Sequence, residues 1–169
     1  VLTLVNTVFK RPTDLLKDDL INYTKTHPDE ATQMLILLMG EVTYLVEEVI
    51  LKLQEIKKYF DLKDNKELWD SKSEEDKKLE EDKFKEYDRI LKAESKMFNL
   101  SLDFLVIVCS CIQDSFVELK LSERLAQLIN HCLECFTSKS SDLNIKNKND
   151  YGFKPIFIME SLIQIYVSF

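Results

Sequence analysis

The chain has 169 residues, 45% of them hydrophobic and 31% charged, and carries a formal net charge of −7. That length admits one domain or part of a larger one, with enough core to bury roughly 68–70% of the extended surface. Two glycines and three prolines are too few for the frequent turns of a sandwich or barrel, and the acidic balance lacks the clustered Lys and Arg of nucleic-acid binders.

Val1–Phe9 is apolar and reads as the end of a buried helix, which Lys10-Arg11-Pro12 breaks because the residue before a proline is pushed out of helical geometry. Thr13 is the expected cap of a second helix through Leu15, Leu16, Leu20, Ile21 and Tyr23. His27-Pro28-Asp29 is a further break, with Asp29 as the expected cap. From Glu30 to Tyr59 the apolar residues Met34, Leu35, Leu37, Leu38, Val42, Leu45, Val46, Val49, Ile50 and Leu53 predict one helix face. Gly40 interrupts that run and predicts a kink or a close helix–helix approach. Lys57–Ser73 reads as a polar connection holding the lone Trp69.

Ser73 is placed to cap a helix whose first residues, Glu74, Glu75 and Asp76, suit the positive end of a helix dipole. Glu74–Glu94 holds 15 charged residues in 21 and predicts a solvated helix, docked along a narrow stripe of Phe84, Tyr87 and Leu91. Leu100–Leu119 is apolar on nearly all sides and predicts a helix buried between neighbours. Ser122 caps the next predicted helix, with Leu125, Leu128, Ile129, Cys132, Leu133 and Phe136 on one face. After a polar connector, Pro155 suits the first turn of a last helix carrying Ile158, Leu162, Ile165 and Tyr166.

The fold class is all-α. A helix-pair spacing of ~40 residues is that of armadillo- or HEAT-like stacks. The chain begins at Val1 and its last apolar run continues to Phe169, so residues 1–169 read as a single helical region, a fragment of a longer solenoid. No apolar run approaches the ~18 residues of a membrane span, and neither a membrane nor a nucleic-acid partner is expected.

The search for chemistry ends without a catalytic, cofactor-binding or metal-binding set. Cys109 and Cys111, two apart on a helix, point in divergent directions at about 100° per residue. Cys132 and Cys135 share a face with His131 beside them, but a zinc site needs four converging ligands. Free buried thiols in a reducing compartment fit the pattern better. Gly40 and Gly152 alone build no phosphate-cradling loop. The abundant carboxylates sit on exposed helices without the apolar setting that raises a pKa.

Two stretches carry a family resemblance. Met34-Leu35-Ile36-Leu37-Leu38-Met39-Gly40-Glu41, running into Leu45-Val46-Glu47-Glu48-Val49, is similar to an apolar run ending in Asn-Asp that leads into an acidic "LLDEAL" helix. Glu123-Arg124-Leu125-Ala126-Gln127-Leu128-Ile129-Asn130, followed by Tyr151-Gly152-Phe153-Lys154-Pro155 and Ile165-Tyr166, resembles "RLAxxLN … YxFxP … IY". In that order they resemble the core of the ubiquitin fusion degradation family of U-box ubiquitin chain-elongation factors. Gly40-Glu41 stands where the family prefers Asn-Asp, and Lys148 where a proline is common.

The resemblance implies a helical scaffold that helps to assemble polyubiquitin chains on substrates bound for the proteasome, in cytoplasm and nucleus. It implies that the whole protein is a ubiquitin-protein transferase, and that this stretch is non-catalytic without its U-box. Implied partners are a ubiquitin-conjugating enzyme held by that U-box, a hexameric AAA segregase, ubiquitin-like shuttle proteins and ubiquitinated substrates. U-box ligases form no covalent ubiquitin intermediate, so the four cysteines gain no nucleophilic role from it. The alternative on the residues alone is an armadillo-like protein-binding adaptor unrelated to ubiquitin.

Overall fold

The computed structural model describes residues 13–138 and 148–169, in which every regular element is a helix and no strand is present. Seven α-helices follow in order: α1 Thr13–Thr26, α2 Pro28–Asp64, α3 Lys66–Ser71, α4 Glu74–Cys111, α5 Gln113–Glu118, α6 Ser122–Ser138 and α7 Pro155–Val167. A 3-10 turn, Lys148–Tyr151, precedes α7. No helix among the described residues is long and apolar enough to cross a membrane. The apolar reading of Val1–Phe9, the Lys10-Arg11-Pro12 break and the side chain of Thr13 lie outside what is described.

Several boundaries move for identifiable reasons. Pro28, not Asp29, opens α2; its missing N–H is no loss in the first turn, and the His27 carbonyl accepts from the Ala31 N–H at 2.9 Å. The stretch after Lys57 is helical rather than a loop: α2 runs on to Asp64, and Asn65 Oδ1 accepts from the Leu68 N–H at 3.3 Å to start α3. Glu74–Glu94 and the apolar stretch beyond it form one 38-residue helix, which ends at Cys111 instead of Leu119. Ser73 caps it as expected: its Oγ accepts from the Asp76 N–H at 3.1 Å, and its hydroxyl donates to Asp76 Oδ2 at 2.7 Å.

Gly40 lies inside α2 and marks no close approach among the described residues. It is exposed, and a Cβ built there meets nothing within 4 Å.

The turn between α5 and α6 escapes sequence reading because it uses lysine in place of glycine. Lys120 takes φ 58°. Its N–H reaches the Val117 carbonyl at 3.0 Å, while the Leu121 N–H reaches Phe116 O at 2.8 Å, the paired bonds of a Schellman ending. Phe116 and Leu121, the two positions whose apolar side chains accompany such an ending, are both buried. The helix start consequently falls one residue early: the Leu121 carbonyl accepts from the Leu125 N–H at 3.0 Å, and Ser122 is already helical. Left-handed backbone costs an L side chain about 1–2 kcal/mol, and glycine adds about 0.5–1 kcal/mol of unfolded-state entropy. Lys120→Gly is therefore expected to stabilise the chain by about 0.5–1 kcal/mol, read as a higher denaturant midpoint at unchanged slope.

The chain divides into two compact units. One holds residues 13–43, 98–131 and 155–169. Its core includes Leu35, Leu102, Leu105, Phe116, Leu125, Ile158 and Leu162, each at most 2% exposed. Two polar ties cross between its segments: the Ser101 hydroxyl donates to Glu41 Oε1 at 3.0 Å, and the Thr24 and Ser115 hydroxyls meet at 3.2 Å. Phe169 closes edge-on over Phe116, their rings 5.4 Å apart.

The other unit holds residues 44–97, 132–138 and 148–154. Val46, Val49, Leu53, Ile56 and Leu91 are fully buried in it, each burial worth about 1.5–3 kcal/mol before the entropy of ordering is subtracted. Its end nearest Asp64 is aromatic. Tyr59 stacks on Phe84 at 4.4 Å, with Phe60 and Trp69 edge-on at 5.7 and 6.2 Å. Lys63 donates to the Tyr59 hydroxyl at 3.1 Å and lies over the Trp69 ring at 5.6 Å. This cluster is the reason that a polar stretch stays helical.

Candidate interaction surface

Cys109, Cys111, Cys132 and Cys135 are all free and buried. Burial pushes the Cys109 thiol up to about 12, and burial with the neighbouring Cys135 does the same to Cys132, so neither is a thiolate at neutral pH. Among the described residues no three His, Cys, Asp or Glu side chains converge on a metal-sized site. His131, Cys132 and Cys135 share a helix without forming one.

The motif residues after α5 are packing residues. Leu125, Leu128 and Ile129 are buried, while Arg124 and Ala126 face outward. Tyr151 and Phe153 are buried on either side of Gly152, whose φ of 70° reverses the chain. Phe153 lies against Phe136 with ring centroids 5.9 Å apart, and Lys92 Nζ sits 5.9 Å from the Tyr151 ring centre. Pro155 then begins α7, as its fixed φ favours. Ile158, Leu162 and Ile165 point inward, but Tyr166, assigned by spacing to the same stripe, is exposed. Ile156, Ile163 and Val167 join it outside, giving α7 an apolar outer side.

A second outward apolar set lies on α2. The periodicity of Met34–Leu53 groups Leu37 with the buried face, yet it is 65% exposed. At 100° per residue it lies about 145° from the centre of that face. Tyr44 and Leu51, seven and fourteen residues on, are also exposed. The heptad spacing was visible in the sequence, but a helix apolar on most sides does not say which side stays wet.

Charge on the long helices is mostly self-paired. On α4, Lys85 and Asp82 meet at 3.1 Å and Lys92 and Asp88 at 2.8 Å, exposed pairs worth a few tenths of a kcal/mol each. A cleft of about 240 Å³ beside Tyr59, Phe84 and Tyr87 is rimmed by Glu55 with Lys58 and by Glu80 with Lys83, already in pairs.

Glu94 differs. Its Oε2 is buried without a hydrogen-bond partner. Burial raises its pKa above the usual carboxylate range; Lys52 partly offsets this, and Glu48 adds to it. A carboxyl with a raised native pKa holds more protons folded than unfolded, so its contribution to stability falls as pH rises through the window between the two values. Glu94→Gln is expected to melt higher than the parent at neutral pH. That difference should shrink as pH drops to the ordinary carboxylate range, in melts followed by circular dichroism across pH.

The arrangement is one of buried thiols, structural motif residues and outward apolar helix faces. No curated protein matches the chain significantly. The family model described as ubiquitin elongating factor core matches residues 3–169, nearly the whole length. The chain therefore belongs to the ubiquitin elongating factor core family.

Proposed function

We propose that this chain is a scaffold section of a U-box ubiquitin chain-elongation factor, positioning substrates that already carry ubiquitin while polyubiquitin is extended for proteasomal degradation. The observation that carries this reading is the family match across residues 3–169. The all-helical architecture and the outward apolar side of α7, open to a further helix of a longer stack, support it. In this reading the ubiquitin-conjugating enzyme is recruited by a U-box elsewhere in the protein. A segregase of the AAA type and ubiquitinated substrates are the partners, met in cytoplasm and nucleus.

The test is a reconstituted reaction with activating enzyme, conjugating enzyme, ubiquitin and a mono-ubiquitylated substrate. The whole protein should lengthen chains. Replacing residues 13–167 with an unrelated helical repeat of equal length should abolish lengthening while leaving ubiquitin discharge from the conjugating enzyme intact. Unimpaired lengthening by the replaced protein would overturn the reading and favour an adaptor outside the ubiquitin reaction.

A further inference from the structure

On α2, Leu37, Gly40, Tyr44, Glu47 and Leu51 fall within about 80° of arc on one side of an unbroken helix. Leu37, Tyr44 and Leu51 recur every seven residues and are 65%, 58% and 47% exposed. They fill one of the two positions per heptad of the seam by which helices pack side by side at a shallow angle, and Gly40 and Glu47 hold the other. Gly40 sits between Leu37 and Tyr44 with open space where its side chain would be. Glycine weakens an exposed helix interior, and nothing among the described residues comes close enough to require it. A helix arriving from outside would: the missing Cβ leaves a hole that a large apolar side chain can enter.

The charge around the seam names the visitor. Pro28–Leu51 contains five acids and no Lys or Arg. Glu30, Glu41 and Glu48 line one edge of the seam, while Thr32, Ile36 and Thr43 line the other. Glu30 and Glu41 are bonded by neutral hydroxyls, of Tyr23 at 3.0 Å and Ser101 at 3.0 Å. Of these three, only Glu48 is ion-paired among the described residues, with Lys52 at 2.8 Å. That edge therefore stays net negative. We propose that this outward face of α2 docks a basic amphipathic helix of a partner protein, one with large apolar residues at heptad spacing and Lys or Arg along one edge. The proposal stands independently of the ubiquitin reading.

The probe is a fluorescent synthetic helix with leucine on a heptad seam and lysine along one edge, titrated with the full chain and followed by anisotropy. A twin carrying glutamate for lysine, and a scrambled peptide of the basic composition, are the controls. The basic helix should bind, more weakly as salt rises, and both controls should bind about tenfold more weakly or worse. Leu37→Lys and Tyr44→Lys should each weaken binding about tenfold at an unchanged melting temperature. Gly40→Ala should raise the melting temperature yet weaken binding, opposite signs that a purely structural glycine does not produce. Equal binding of the basic and acidic helices, or no effect of Tyr44→Lys, would overturn the proposal. So would a dimer in sedimentation that Tyr44→Lys dissolves, since the face would then serve a second copy of this chain.

Discussion

Phe153→Ala is expected to lower the stability of the chain by about 3–5 kcal/mol, the range for deleting a buried aromatic ring. Phe153 is 2% exposed and packs on Phe136. Residues 148–154 contain one short 3-10 turn and a glycine at φ 70°. Two buried aromatic side chains in them, Tyr151 and Phe153, anchor the segment. For a chain of this size each kcal/mol moves the melting temperature by about 2–4 °C, so a loss of roughly 6–20 °C should appear by circular dichroism. Phe153→Leu, which keeps most of the apolar volume, should cost less than about 1.5 kcal/mol. A melting temperature unchanged in Phe153→Ala would mean that this ring does not anchor the segment.

Tyr59→Ala is expected to cost about 3–4 kcal/mol. Tyr59 stacks on Phe84, meets Trp69 and Phe60 edge-on and accepts a hydrogen bond from Lys63. Removing it takes away the central ring of the cluster that keeps residues 57–71 helical. Trp69 is the only tryptophan in the chain, so its fluorescence reports the site directly. In Tyr59→Ala its emission should shift to the red, as the indole loses its ring neighbour and gains water. Tyr59→Phe retains the stacking and loses only the part-exposed bond to Lys63, and should cost no more than about 1 kcal/mol with emission nearly unchanged. Equal effects of the two substitutions would assign the stability to the hydrogen bond and not to the rings.

Much of the architecture was legible because its causes are local. Scarce glycine and proline exclude turn-rich folds, Pro155 can only begin a helix, and Ser73 offers its oxygen to an amide three residues on. Tyr151 and Phe153 could be read as the pins of the last connector. What was not legible depends on partners distant in sequence. Lys57–Ser71 looks like a polar connection until Phe84 is brought beside Tyr59. The charged and apolar parts of α4 look like two helices because composition changes near Ser95, although no helix-breaking residue lies there. Lys120 at φ 58° gives no signal, since a helix ending is expected to show glycine or asparagine. The outward set on α2 was hidden for the opposite reason: too many of its neighbours are apolar, and only packing decides which are covered.

The buried cysteines have a use that follows from how they are divided. Cys109 and Cys111 belong to one compact unit, Cys132 and Cys135 to the other. A thiol held near 12 and shielded from solvent reacts with an alkylating reagent only after its surroundings open. Each unit thus carries its own clock. Single-cysteine variants retaining Cys109 or Cys132 would record when each half first opens under mild denaturant. Matching rates would show one cooperative opening, and unequal rates would show which half loosens first.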